Sequence, residues 1–146
     1  MAKVKTLGYG TLVKCDTDGN GSGHVTVGYI KNVTPPEKSL KTADGTCLED
    51  SREQMEPALE EATEFKFLEI WDMLETNDAA LDTLYAAAKA HTTPYNVEWQ
   101  VVYPQGTPVT DEFTGWVKNL GVQQIVNGEY IQREVTVQTT SVTTRT

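Results

Sequence analysis

Only one stretch of this chain carries a helical period, and most of what surrounds it alternates with a period of two. Residues 77–91 (NDAALDTLYAAAKAH) place Leu81, Leu84, Tyr85 and Ala88 at i, i+3, i+4 and i+7, an apolar stripe that must bury against something. Asn77 is the expected N-cap, and Asp78 and Asp82 bring carboxylates to the positive end of the helix dipole. Lys89 and His91 complement the carbonyl end before Pro94 blocks continuation. A helix of about 13 residues spans roughly 20 Å and is marginal alone, so it needs the strands around it. The expected fold is mainly β: a β-sandwich or half-barrel of about six strands with one flanking α-helix.

The strands are read as follows. One begins near Gly10 and reaches Cys15, and residues 16–24 (DTDGNGSGH) supply the turn chemistry of a hairpin loop. Asp16, Asp18, Asn20 and Gly21 also match the first half of a calcium loop, but its twelfth position is Val27 where a glutamate is needed, so the hairpin is the better reading. In residues 24–33 Val25, Val27, Tyr29 and Val33 share a face, and Pro35-Pro36 stops the strand. Residues 58–74 have helical composition, yet Phe65, Phe67 and Trp71 share a strand parity with Lys66 opposite, which predicts a strand over 62–72. Val97, Trp99, Val101 and Tyr103 alternate cleanly through 95–103. A strand over 112–122 holds Gly115 as a bulge or close-approach point, Asn127-Gly128 is a turn, and a Thr-rich strand over 130–142 follows.

Between 37 and 56 the sequence is polar without sustained periodicity, a long loop for a chain of 146 residues that is otherwise expected as one domain over 1–146. It carries Lys38, Lys41 and Arg52 against Asp44, Glu49, Asp50, Glu53 and Glu56. Those eight charged residues are the candidate inter-subunit contacts, since such a segment can order once a neighbour supplies complementary charge and buried surface.

Twelve basic against 21 acidic side chains give a net charge of −9, which argues against a nucleic-acid clamp and an anionic-membrane binder. Cys15 and Cys47 lack metal-ligand spacing and could form at most one bridge; two reduced thiols are the simpler reading. The N-terminal residues lack the apolar core of a signal peptide, and no run reaches transmembrane length, so a soluble protein made in the cytoplasm is expected. No phosphate-binding loop, dinucleotide fingerprint, nucleophile elbow or histidine pair is present, so no catalytic residue, metal or cofactor is assigned and an enzyme is not expected. Trp71, Trp99 and Trp116 could line a ligand site but fall on strand patterns that suit a core.

The order of these elements resembles the major tail (tail tube) proteins of long-tailed bacteriophages. The likeness runs over residues 8–142: Gly10-Thr11-Leu12, the Gly-rich hairpin, Val27-Gly28-Tyr29-Ile30-Lys31-Asn32-Val33, the polar loop with Asp44-Gly45, Met55-Glu56-Pro57-Ala58-Leu59, Glu64-Phe65-Lys66-Phe67-Leu68, the helix, Val97 to Gly106, Phe113-Thr114-Gly115-Trp116-Val117 and Arg133-Glu134-Val135-Thr136-Val137-Gln138. Pro57 is followed by Ala58 where that family often has glycine. The resemblance implies a structural subunit of the virion tail, assembled in the host cytoplasm into stacked rings, usually hexameric, that form a helical tube for genome ejection. It implies tape-measure, tail-terminator and tail-tip proteins as partners, no membrane, and DNA that passes through the lumen without specific binding. Inward-facing carboxylates would repel phosphate and leave that DNA free to move. The same architecture builds tubes and rings of contractile tails and of type VI-like secretion machines, and a monomeric β-sandwich binding module is the alternative of a different class.

Overall fold

The computed structural model describes residues 8, 10–19, 21, 23–49 and 51–146. Among them the elements run β1 (Leu12–Cys15), β2 (Val25–Val27), β3 (Ile30–Thr34), β4 (Leu40–Asp44), β5 (Met55–Glu60), β6 (Glu64–Ile70), α1 (Thr76–Ala90), β7 (Val97–Tyr103), β8 (Val109–Val122), β9 (Gln132–Thr139) and β10 (Thr144–Arg145). The mainly β fold with one helix is as the alternation predicts, with more strands than the six expected.

Pairing is antiparallel throughout the main sheet, in the order β2-β1-β7-β8-β9-β6-β3, with β10 added to β8. β2 and β3 stand at opposite ends of this path, yet only Gly28 and Tyr29 separate them in the chain. A two-residue link cannot cross a flat sheet of seven strands, so the sheet curls until its two ends approach, giving a half-barrel. The single strand expected over 24–33 is therefore two strands, broken where Tyr29 takes a φ of 55° and its side chain turns out to solvent.

The core lies on the inward parity. Val13, Cys15, Val27, Phe65, Phe67, Val97, Trp99, Val101, Phe113, Val117, Val135 and Val137 are buried in one cluster, and the helix adds Leu81 and Leu84 to it. Three aromatic rings meet around Phe65, with centroids 5.4 Å from Phe67, 5.1 Å from Phe113 and 6.1 Å from Trp99. Trp99 donates from Nε1 to the Gly115 carbonyl at 3.2 Å. Gly115 is the close-approach point: a Cβ there would stand 2.7 Å from both the Gln138 carbonyl oxygen and Val137 Cγ1. The register shift in β8 falls between Val117 and Asn119 instead.

The helix start and its cap lie two residues earlier than expected. Glu75, not Asn77, is the N-cap, accepting from the Asp78 amide at 2.9 Å, while Asn77 Nδ2 donates to the Thr26 carbonyl at 3.0 Å and ties the helix to β2. The helix ends at His91 in the left-handed region, where Thr92 N donates to the Ala87 carbonyl at 3.0 Å. Within the apolar stripe Leu81 and Leu84 are buried, Ala88 is half-buried and Tyr85 stays 40 % exposed. Asp78, two turns before Tyr85 on the same side of the helix, is buried as well, so that side is covered at the helix start and exposed further along.

Candidate assembly surface

The stretch expected as a loop over 37–56 is in large part a two-stranded arm. Among the described residues β4 and β5 pair antiparallel with each other and with nothing else, from Leu40↔Glu60 to Asp44↔Met55. Every described residue from 40 to 62 is exposed, so the arm contributes no buried side chain to the core. At its base Glu61 N donates to the Ser39 carbonyl at 2.7 Å, and Thr63 Oγ1 donates to the Glu37 carbonyl at 3.1 Å. At its tip Gly45 N donates to the Gln54 carbonyl at 2.9 Å, Gln54 N donates to Thr46 Oγ1 at 2.7 Å, and Asp44 Oδ1 accepts from Thr46 N at 2.9 Å. Hydrogen bonds from the Thr46 side chain and then from its amide hold the Asp44 carboxyl below its ordinary pKa.

The eight candidate contact residues distribute along this arm. Lys38 precedes β4, Lys41 and Asp44 lie on β4, Glu49, Arg52 and Glu53 lie near the tip, and Glu56 lies on β5, all of them exposed. Asp50 falls outside the described residues. Sequence reasoning missed the apolar side chains that accompany them: Leu40, Leu48, Met55 and Leu59 are all exposed on the same arm. Large apolar groups held in water on a projecting ribbon are the ordinary mark of a contact surface.

A second apolar surface lies at the other end of β6. The arm joins β6 at Glu64; at Ile70, six residues and about 20 Å further along, three corners meet. Ile70 N donates to the Tyr29 carbonyl, Trp71 N to the Ile131 carbonyl and Gln123 N to the Gln132 carbonyl, each at 2.9 Å. This rim exposes Tyr29, Met73, Leu74 at 93 %, Ile125, Val126 and Tyr130 at 78 %.

Beside this rim a buried charge cluster fixes the helix to the sheet. Arg133 on β9 donates from Nη1 to Asp82 Oδ1 at 3.0 Å and from Nη2 to the Asp78 carbonyl at 3.2 Å, and its guanidinium lies 5.1 Å from the Trp71 ring centroid. Its remaining partner is Glu69 on β6. Glu69 has the inward parity of Phe65 and Phe67, a signal visible in the sequence that is easily passed over because glutamate is rarely buried. The tryptophans do not converge on a ligand site: Trp99 is fully buried, Trp71 stacks on Arg133, and Trp116 has the parity opposite to Phe113 and Val117. Among the described residues no group of three or more histidine, cysteine or carboxylate side chains is arranged to hold a metal ion.

No protein-family model and no curated protein matches the chain. Solved structures match it from end to end. One is a chain of the anti-feeding prophage baseplate, with TM-score 0.76, 7 % identity, and 99 % of this chain and 97 % of that chain covered. Another is a chain of the sheath/tube terminator of an extracellular contractile injection system, with TM-score 0.73, 10 % identity, and coverage of 100 % and 99 %. A third comes from the virion of a gene transfer agent, with TM-score 0.72, 12 % identity, and coverage of 97 % and 99 %. The fold is tail-tube-like, and the proteins that share it here are structural parts of tails and injection systems.

Proposed function

We propose that this chain is a non-enzymatic tube subunit of a phage-type tail, assembling with copies of itself into stacked hexameric rings whose channel conducts DNA at genome ejection. The observation that carries the reading is the two-way coverage by the fold: nearly all of this chain is used by nearly all of chains that serve as tail and injection-system parts. The surface supports it independently. An apolar arm at one end of β6 and an apolar rim at the other are different patches, so copies meeting through them join head to tail, the geometry that closes into rings or runs on as a filament. Both ends of the main sheet path, β2 and β3, also offer strand edges to a neighbour. A net charge of −9 suits a conduit that DNA passes without adhering. The eight charged residues of the arm serve as inter-subunit contacts, and tape-measure, terminator and tip proteins are the further partners in a virion tail assembled in the host cytoplasm.

A second reading, a terminator or baseplate ring subunit, is favoured by the terminator and baseplate chains among the matching folds. Light scattering over a concentration series separates the two, because a tube subunit continues to grow with concentration and a terminating ring stops at one size. A monomer at every concentration would remove both and leave the binding module. Replacing residues 41–59 by a short linker should leave a folded, helix-containing monomer that no longer stacks.

A further inference from the structure

The most exposed part of the rim is a turn, and a buried carboxylate holds it in place. Met73 and Leu74, both exposed, stand at the tip of the turn over 72–75. Glu75 N donates to the Asp72 carbonyl at 3.3 Å and Leu74 N to Asp72 Oδ1 at 3.0 Å, so the turn closes on Asp72. Asp72 is fixed in its turn by the helix, its own amide donating to Asp78 Oδ2 at 3.0 Å. Asp78 is buried in the first turn of α1, and its amide is the one that Glu75 caps. One buried carboxylate therefore positions two of the apolar side chains that the rim offers.

That carboxylate faces a second one. Glu69 on β6 is buried, with no donor to its Oε2 among the described residues, and the Asp78 carboxylate lies against it. The groups around Glu69 come from three elements. β9 supplies Arg133, already bound to Oε1, and α1 supplies Asp78 and Asp82, the latter open to water and bound to Arg133 at 3.0 Å. β3 places Ile30 opposite Glu69 and brings no charge to it, its Lys31 being exposed. Three carboxylates thus surround one guanidinium, and the two buried ones fit together only with a hydrogen between them. We propose that this shared proton is a latch on the rim: while it is held, Asp78 positions the 72–75 turn for contact with a neighbouring copy, and its loss frees the turn and weakens assembly. Without the proton, two desolvated carboxylates oppose each other. Glu69 cannot retreat, because Arg133 grips it through two nitrogens. Asp78 can, since it stands at the helix start beside the exposed turn, and in swinging towards water it drops the Asp72 amide. Burial, opposed by Arg133 and reinforced by Asp78, brings the Glu69 pKa up to about 8, so the latch is shut well below that pH and opens above it. The proposal rests on the reading of the chain as self-assembling, with the rim as one of its contacts, and adds what controls that contact.

Amide resonances of the monomer read the latch, and light scattering reads its effect on assembly. In the wild type the Asp72 and Leu74 amide signals should shift with a midpoint of about pH 8, while in Glu69→Gln they should keep the positions they hold at about pH 6. The concentration at which the wild type assembles should rise about tenfold between about pH 6 and about pH 9, with the subunit still folded by circular dichroism. Glu69→Gln should assemble at the low concentration at both pH values, since its amide nitrogen donates permanently to Asp78. Asp78→Asn guards against a variant that fails to fold. Its oxygen still accepts from Asp72 while its nitrogen donates to Glu69, and it too should assemble without the pH dependence. Asp72 and Leu74 signals that stay fixed in the wild type would overturn the latch, as would a rise in assembly concentration that Glu69→Gln shares. Wild type that stays monomeric at every concentration and pH, with its Asp72 amide titrating as expected, would overturn the self-assembly reading while supporting the proton switch beneath the rim.

Discussion

Two nitrogens of Arg133 converge on one oxygen of Glu69, Nε at 2.9 Å and Nη2 at 2.8 Å from Oε1, with both side chains shielded from solvent. The pair joins β9 to β6, and through Asp82 and the Asp78 carbonyl the same guanidinium seats the helix. Removing the guanidinium leaves Glu69 and the Asp78 carbonyl desolvated and unmatched. Arg133→Met should therefore destabilise the subunit by about 3–5 kcal/mol, although methionine fills much of the same space. Urea denaturation of the isolated subunit measures it, and a loss below about 1 kcal/mol would mean that the cluster is solvated in practice.

The second oxygen of Glu69 has no donor of its own and faces the Asp78 carboxylate, so a proton on Oε2 satisfies both. Burial pushes the Glu69 pKa up to about 8, Arg133 opposing and Asp78 adding to the rise. A glutamate in the unfolded chain titrates near 4.5, so the folded protein holds a proton that the unfolded chain has released. This contribution to stability is full below about pH 4.5 and is lost as pH rises to about 8. Glu69→Gln, which keeps the shape of the protonated acid, should melt close to the wild type at pH 5 and above it at pH 9. Thermal melts at the two values check this, and equal wild-type and variant curves at pH 9 would contradict it.

Leu84 is buried in the common core with no polar partner to complicate its loss. Leu84→Ala should cost about 2–5 kcal/mol, the usual range for a leucine cavity in a packed interior. Chemical denaturation gives the value directly, and a change under about 1 kcal/mol would show that the helix rests loosely on the sheet.

Gly115→Ala tests the opposite error, too much volume. Its methyl group would press into the Gln138 carbonyl and Val137 Cγ1 of the paired strand, and the backbone oxygen has little room to give. A destabilisation of about 1–3 kcal/mol is expected, together with displaced amide resonances across β8 and β9. Unchanged melting would mean that β9 moves away freely at this point.

What the sequence disclosed follows from where one face of an element is buried and the other is not. Val97, Trp99 and Val101 alternate against water and are all found inward, and the parity of Phe65 and Phe67 overrode the helical composition around them. The arm was illegible for the same reason. Both faces of β4 and β5 are exposed, so nothing forces alternation, and Pro57 sits within a strand because that strand is an edge. Tyr29 broke a pattern that looked continuous, since a positive φ at a non-glycine residue leaves no periodic trace. Asn77 had the better capping chemistry by composition, yet Glu75 caps by accepting from the Asp78 amide, while the Asn77 side chain is engaged with the Thr26 carbonyl of β2. The charged residues proposed as contacts stand out in the sequence by their charge alone, while a groove bordered by Lys31, Tyr103 and Arg145 is not legible there, because those residues come together only through the curl of the sheet.

Electron cryomicroscopy of the purified chain at high concentration tests the central claim most directly. The account predicts six-subunit rings stacked into tubes, with the arm of one copy engaged on another and a net acidic channel wall. Monomers at every concentration, or symmetric dimers that grow no further, would contradict it.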